Sequence, residues 1–321
     1  MIKPKAIQAF LQTGFDLYFI NKFRFNKLVI ELNDYLQPMG LRLDEQLKKR
    51  IWSYTLQSAA TNRWFTDLRG YKTTKNEQQA AIYLGAYTPV YDDLVDDQTM
   101  NHEDIERLQT NQYKENIHFA LIWYLYKKLE TRLPRKGQFK HYFQLSGQAQ
   151  TASLQQLKKE RLHWDDLQKI TFDKGGYATL LYRSILENEI EAKEEKAIYQ
   201  LGAALQLVND VFDVYKDHQQ GLQTCITNTT DIIIPADIFE EKVNTCILAF
   251  HDLPYSQIHK ESMLWKIKVM LSRGYVCFEQ LKSLPDASAA FSPANYSRNQ
   301  LICDMERMKN IKRSLEIASA L

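Results

Sequence analysis

The sequence predicts an all-α protein, one helical bundle forming a single domain over residues 1–321. Only 11 Gly and 8 Pro occur in 321 residues, about half the usual share, which disfavours sandwiches, propellers and Gly-looped doubly wound sheets. Apolar residues recur at three- and four-residue spacing through most of the chain, with strong helix formers between them. No Pro/Gly/Ser-rich linker separates one half from the other.

Along the chain, the longest periodic stretches run from Ile105 to Leu133, Glu187 to Tyr215 and Ser262 to Leu284. Helix breakers fall at Leu133-Pro134, Gly175-Gly176, Gly221, Pro235, Pro254 and Ser292-Pro293, the last with Ser in an N-cap position. This punctuation predicts roughly ten helices. Ile232-Ile233-Ile234 is the one β-branched run, too short and too isolated to build a sheet.

With 45% hydrophobic and 25% charged residues the chain can bury a full core. Lys plus Arg number 41 against 39 Asp plus Glu, leaving a formal charge of +2 and none of the basic excess that nucleic-acid binding needs. Any anionic ligand must be held by local cations. Cys225, Cys246, Cys277 and Cys303 form no Cys-x-x-Cys pair and read as free thiols in a reducing cytoplasm. Gln8, Gln12 and Asp16 interrupt what would be the apolar core of a signal peptide, and no run approaches the ~18 residues of a membrane span. A cytoplasmic protein is expected.

Two acidic segments stand out. Tyr91-Asp92-Asp93-Leu94-Val95-Asp96-Asp97 places Asp92 and Asp96 one helical turn apart on one face, with Asp93 and Asp97 beside them. Like charges at that spacing repel, so the cluster calls for a counter-charge. Mg²⁺, which prefers carboxylate oxygen and keeps waters that a phosphate can replace, would supply it; a solvated helix end is the alternative. In the second segment Asn209, Asp213 and Asp217 recur every fourth residue, each step advancing about 40° beyond a full turn, and form one polar stripe that Gln206 extends by another turn. Leu205, Leu207, Val208, Val211, Phe212 and Val214 surround it, so the helix is otherwise apolar and its carboxylates need a cation if buried. Between the two segments, Lys174-Gly175-Gly176 interrupts a helical pattern, either to turn backbone groups toward a ligand or as a plain interhelical turn. Lys174 is a cation suited to a phosphate.

Together these residues resemble the class I isoprenoid synthases, all-helical enzymes with a central active-site cavity that ionise allylic prenyl diphosphates. Asp92-Asp93-x-x-Asp96 is similar to their first aspartate-rich motif. Gln206-x-x-Asn209-x-x-x-Asp213-x-x-x-Asp217 resembles the second motif of squalene and phytoene synthases and the Asn-x-x-x-Ser-x-x-x-Glu triad of terpene cyclases, with Lys216 matching the basic residue that often precedes the last ligand. The likeness covers about Tyr83 to Gly221. Squalene and phytoene synthases carry Arg where this chain has Pro89 and Phe212, and chain-elongating prenyltransferases carry Arg-Arg-Gly where it has Gln98-Thr99-Met100. The cyclases' C-terminal Arg-Tyr pair is approximated by Arg273-Gly274-Tyr275 or Tyr296-Ser297-Arg298, and Lys174 stands in for their sensor Arg.

The resemblance therefore implies a class I terpene synthase, a carbon–oxygen lyase that ionises one C15 or C20 prenyl diphosphate and cyclises the carbocation in an aromatic-lined pocket. Alternatives are condensation of two prenyl diphosphates, as in squalene/phytoene synthases or chain-elongating prenyltransferases, and a non-catalytic diphosphate-binding relative. It implies a cluster of about three Mg²⁺ ions with the diphosphate. The implied ligands are Asp92 and Asp96, and Asn209, Asp213 and Asp217. Asp93 is a further ligand or, like Asp97 and Asp210, orients ligands and waters. Lys174, Gly175, Gly176, Gln206, Phe212 and Lys216 are implied on the substrate side. Gly85, Tyr87, Thr88 and Gly202 are expected to set pocket depth, the small residues leaving room for an isoprenoid tail. A homodimer is one assembly the sequence allows.

Overall fold

The computed structural model describes residues 2–18, 22–96, 100–111, 116–157 and 159–321. The protein is all-helical, 76% helix, with no strand among the described residues. In chain order the helices are α1 (Pro4–Tyr18), α2 (Lys22–Leu36), α3 (Glu45–Leu68), α4 (Lys75–Asp96), α5 (His102–Thr110), α6 (Ile117–Glu130) and α7 (Lys136–Ser153). There follow α8 (Trp164–Arg183), α9 (Ala192–Phe212), α10 (Val214–Gln219), α11 (Ile233–His251), α12 (Gln257–Lys282), α13 (Arg298–Leu301) and α14 (Met308–Ala320).

Local chemistry accounts for the boundaries. The Asp44 side chain accepts from the Leu47 amide at 2.7 Å and starts α3. Asn101 and Asp104 close a capping box that starts α5, and Asn116 accepts from His118 N–H at 2.8 Å to start α6. The stretch from Ile105 to Leu133, expected as one helix, is thus two: α5 ends at Thr110 and α6 starts afresh at the Asn116 cap. The Ile232–Ile234 run opens α11 instead of forming a strand. The expected break at Gly175-Gly176 does not occur: α8 runs through the pair without interruption. Conversely, α9 and α10, expected as one helix, part at Asp213.

Residue contacts divide the chain into two compact units, each discontinuous in sequence. One comprises Gln12–Leu154 and Leu181–Ile190. In it α4 packs against α3 and α6, and α5 against α6 and α7. Gly85 permits the α3–α4 approach, because a Cβ there would come within 2.7 Å of Thr55 Cα and 2.9 Å of the Tyr54 carbonyl. Pro89, inside α4, withholds one backbone donor, and the Thr88 hydroxyl donates to the Leu84 carbonyl at 2.9 Å in the same turn.

The other unit comprises Met1–Leu11, Gln155–Leu180 and Glu191–Leu321. Here α9 lies against α11 and α12, and α14 against α12, around buried Leu201, Leu207, Val211, Phe239, Val243 and Ile267. Gly175 and Gly202 bring α8 and α9 into backbone contact: a Cβ on either would meet the other's carbonyl oxygen at 2.2 Å. Gly176 faces the Tyr199 ring, which a Cβ would meet at 2.4 Å. Packing of α8 on α9 is thus the structural role of the glycine pair.

Candidate functional site

The first acidic segment occupies the last two turns of α4. Asp92 and Asp93 are half-buried and Asp96 is exposed, while Asp97 lies outside the described residues. Side chains from three other helices of the same unit meet this cluster. Arg50 on α3 forms an ion pair with Asp93. His118 Nε2, from the start of α6, donates to Asp93 Oδ2 at 3.2 Å. Tyr54, one turn after Arg50 on the same face of α3, donates its hydroxyl to Asp92 Oδ2 at 3.1 Å. Gln150 Nε2 on α7 donates to Asp96 Oδ1 at 3.4 Å. The charge of Asp92, with burial, pushes the Tyr54 phenol far above its ordinary range and keeps it a donor.

Arg50, Tyr54, His118 and Gln150 reach the motif from sequence separations of 25 or more, so no local pattern marks them. A basic and a phenolic residue one turn apart, as on α3, is common on helices. Arg63, Arg69 and Arg183, cations that sequence alone could not place, make structural contacts. Arg63 pairs with Asp16 at 3.2 Å, Arg69 donates to the Glu189 carbonyl at 2.7 Å, and fully buried Arg183 donates to the Asn188 carbonyl at 3.0 Å.

The second acidic segment is held by the other unit. The α9 ladder stops at Asp213, where φ is −90° and ψ is 6°. The four-residue rhythm survives this bend, because Asp213 N–H donates to the Asn209 carbonyl at 2.9 Å and Asp217 N–H to the Asp213 carbonyl at 2.8 Å. Asn209 is exposed and Asp213 half-buried, whereas Asp210 and Asp217, two turns apart, are 4% and 5% exposed. Asp210 accepts from Gln206 Nε2 at 2.9 Å and from Thr171 Oγ1 of α8 at 3.2 Å. The Asp217 carboxylate meets no hydrogen-bond donor among the described residues.

Burial, opposed by those two hydrogen bonds and by Lys174, raises the Asp210 pKa to about 6. Burial, followed by the charges of Asp210 and Asp213, raises that of Asp217 to about 7, against the pull of Lys216 and Lys174. Three carboxylates and two lysines thus act on one another. Lys216, exposed, stands 3.5 Å from Asp213 Oδ2. The Arg273 guanidinium lies 5.4 Å from the ring centre of Phe212 at the end of α9, and Arg298 lies 6.0 Å from that of Tyr215 on α10. Both arginines belong to the segments that approximate an Arg-Tyr pair in the sequence.

The glycines differ from what the sequence suggested. Gly175 and Gly176 lie inside a continuous helix, so they do not form a loop of free amides, and the space beside Gly85 and Gly202 is filled by Thr55 and Gly175. Tyr87 is buried and accepts from Gln109 Nε2 at 2.6 Å. Thr88 accepts from the Tyr182 hydroxyl at 2.8 Å.

Among the described residues no three His, Cys, Asp or Glu side chains are already drawn together as a metal cage. The donor chemistry nevertheless suits Mg²⁺: the sets are all oxygen, and Asp217 is a buried carboxyl, 5% exposed, beside Asp210 and Asp213. Asp93 fits least well as a ligand because Arg50 and His118 already satisfy it. No family model, curated protein or solved structure matches the chain.

Proposed function

We propose that the chain is a class I isoprenoid synthase that ionises an allylic prenyl diphosphate and cyclises the resulting carbocation. The observation that carries this reading is the group Asp210, Asp213 and Asp217 facing Lys174, where carboxylates on an otherwise apolar helix hold more negative charge than their own cations offset. On this reading Asn209, Asp213 and Asp217 are the Mg²⁺ ligands of one motif and Asp92 and Asp96 those of the other, with Asp210 fixed by Gln206 and Thr171 as an orienting group. Mg²⁺, when bound, supplies Lewis-acid stabilisation of the departing diphosphate. Lys174 and Lys216 add fixed positive charge for the same leaving group. Tyr54 and Arg50 orient Asp92 and Asp93.

A second reading, condensation of two prenyl diphosphates, is favoured by Arg50 beside Asp93 and Arg273 over Phe212. They bring a cation to each motif although positions 89 and 212 carry none. One experiment separates the two. The protein is incubated with Mg²⁺ and geranyl, farnesyl or geranylgeranyl diphosphate, alone and with isopentenyl diphosphate, and released diphosphate and products are measured by mass spectrometry. A hydrocarbon or alcohol of the substrate's own carbon count supports the cyclase. A C30 or C40 product, or a longer diphosphate formed only with isopentenyl diphosphate, supports condensation, and no release from any substrate overturns both.

A further inference from the structure

The N-terminal helix is turned inside out relative to an ordinary surface helix. Ala6 and Ala9, 0% and 5% exposed, face inward, while Ile7, Phe10, Leu11 and Phe15 are 43%, 39%, 63% and 54% exposed. Their spacing puts these four, with Gly14 between them, on one outward arc of α1. The only acidic residue of α1, Asp16, is buried and engaged by Arg63 and by the Trp64 indole N–H, so the outward arc carries no negative charge.

Cations stand near the start of α1, where Trp265 packs against the Ala9 side of the helix. Lys3 and Lys268 both approach the half-buried Trp265 ring, with Nζ 5.9 Å and 5.3 Å from its centre, and no carboxylate among the described residues pairs with either ammonium. Burial and then the charge of Lys3 lower the Lys268 pKa, so an anion between the two ammonium groups would relieve their repulsion. Lys5 is bound to Glu261 at 2.8 Å, which ties the start of α1 to α12. Ile258, 74% exposed, lies three residues before Glu261 and seven before Trp265, on the same face of α12. Aliphatic and Phe side chains outward, a Trp at the edge and unpaired lysines beside it are what a helix lying in a lipid headgroup layer presents.

We propose that α1, with the Ile258–Trp265–Lys268 ridge of α12, docks on an anionic lipid bilayer, lying in its surface without crossing it. Lys3 and Lys268 would take lipid phosphates while Ile7, Phe10 and Leu11 enter the acyl boundary. The inference is independent of the proposed chemistry.

The test is co-sedimentation of the full chain with vesicles of phosphatidylcholine, with and without phosphatidylglycerol, at low and high salt. Binding to the phosphatidylglycerol vesicles that weakens with salt is expected. The double variant Phe10→Gln/Leu11→Gln should bind about tenfold less. Lys3→Gln and Lys268→Gln should each lose about fivefold on anionic vesicles and little on neutral ones. Lys3, Phe10 and Leu11 are exposed and Lys268 is half-buried, and unchanged thermal melts verify that the variants fold. Absence of vesicle binding would overturn the proposal. So would a concentration-dependent dimer in analytical ultracentrifugation that Phe10→Gln/Leu11→Gln dissolves while vesicle binding is unaffected, which would give the arc to a second copy of the chain.

Discussion

Asp217 shows what a single residue can report about this protein. Its folded-state pKa of about 7 exceeds the unfolded value of 3.8, so between those pH values the folded chain holds a proton that the unfolded chain has released. Its contribution to stability therefore falls as pH rises from about 4 to about 7, and above that the full cost of the charge remains. Asp217→Asn removes the charge and keeps the shape. In the absence of metal it should raise the melting temperature by about 2–4 °C at pH 8 and by almost nothing at pH 5; an equal gain at both values would mean that charge is not the issue. Millimolar Mg²⁺ should raise the melting temperature of the parent protein and leave Asp217→Asn unmoved. Turnover should drop by roughly 10² to 10³. The four-residue rhythm of this motif was legible in the sequence, but which of its residues face inward was not. Asn209 lies on the stripe and is exposed, whereas Asp210 lies off it and is buried, because burial depends on where α8 packs.

At the scale of the element, helical periodicity was readable almost everywhere and interruptions were harder to read. Gly175-Gly176 has the composition of a break, and Asp213 sits in a run with the composition of a continuous helix; the structure reverses the two. The glycines answer to a contact 27 residues away, and no local pattern encodes a backbone neighbour. A Cβ at Gly175 has no room beside the Gly202 carbonyl, so Gly175→Ala should lose about 1–3 kcal/mol in urea unfolding. Gly137→Ala, on α7 with open space around it, should change little or gain up to about 1 kcal/mol. If Gly175→Ala behaved like Gly137→Ala, the α8–α9 crossing would be looser than described.

For the whole molecule the all-α class was plain from composition and period, but the two units were not, and the reason is physical. Each unit is assembled from separated segments, so the chain passes between them without needing a flexible linker or a shift in composition. The cyclase reading makes a prediction at this scale. Initial rate should saturate hyperbolically in one prenyl diphosphate, vanish with excess chelator and return with Mg²⁺. Activity that survives chelation would remove the metal from the mechanism, and a rate requiring two different diphosphates would favour the condensing alternative.

The first and last helices also meet: Ala9 packs with Val269 and Ala318, and the Lys3 amide donates to the Ser319 hydroxyl at 2.9 Å. At roughly 5–20 residues per second on a ribosome, α1 emerges tens of seconds before the residues that cover its inner side exist. Throughout that interval both sides of the helix are bare, the small alanines as well as the exposed Phe and Leu. The nascent chain thus carries an adhesive helix long before the residues that cover it are made, and a chaperone or a lipid surface can engage it before the fold is closed.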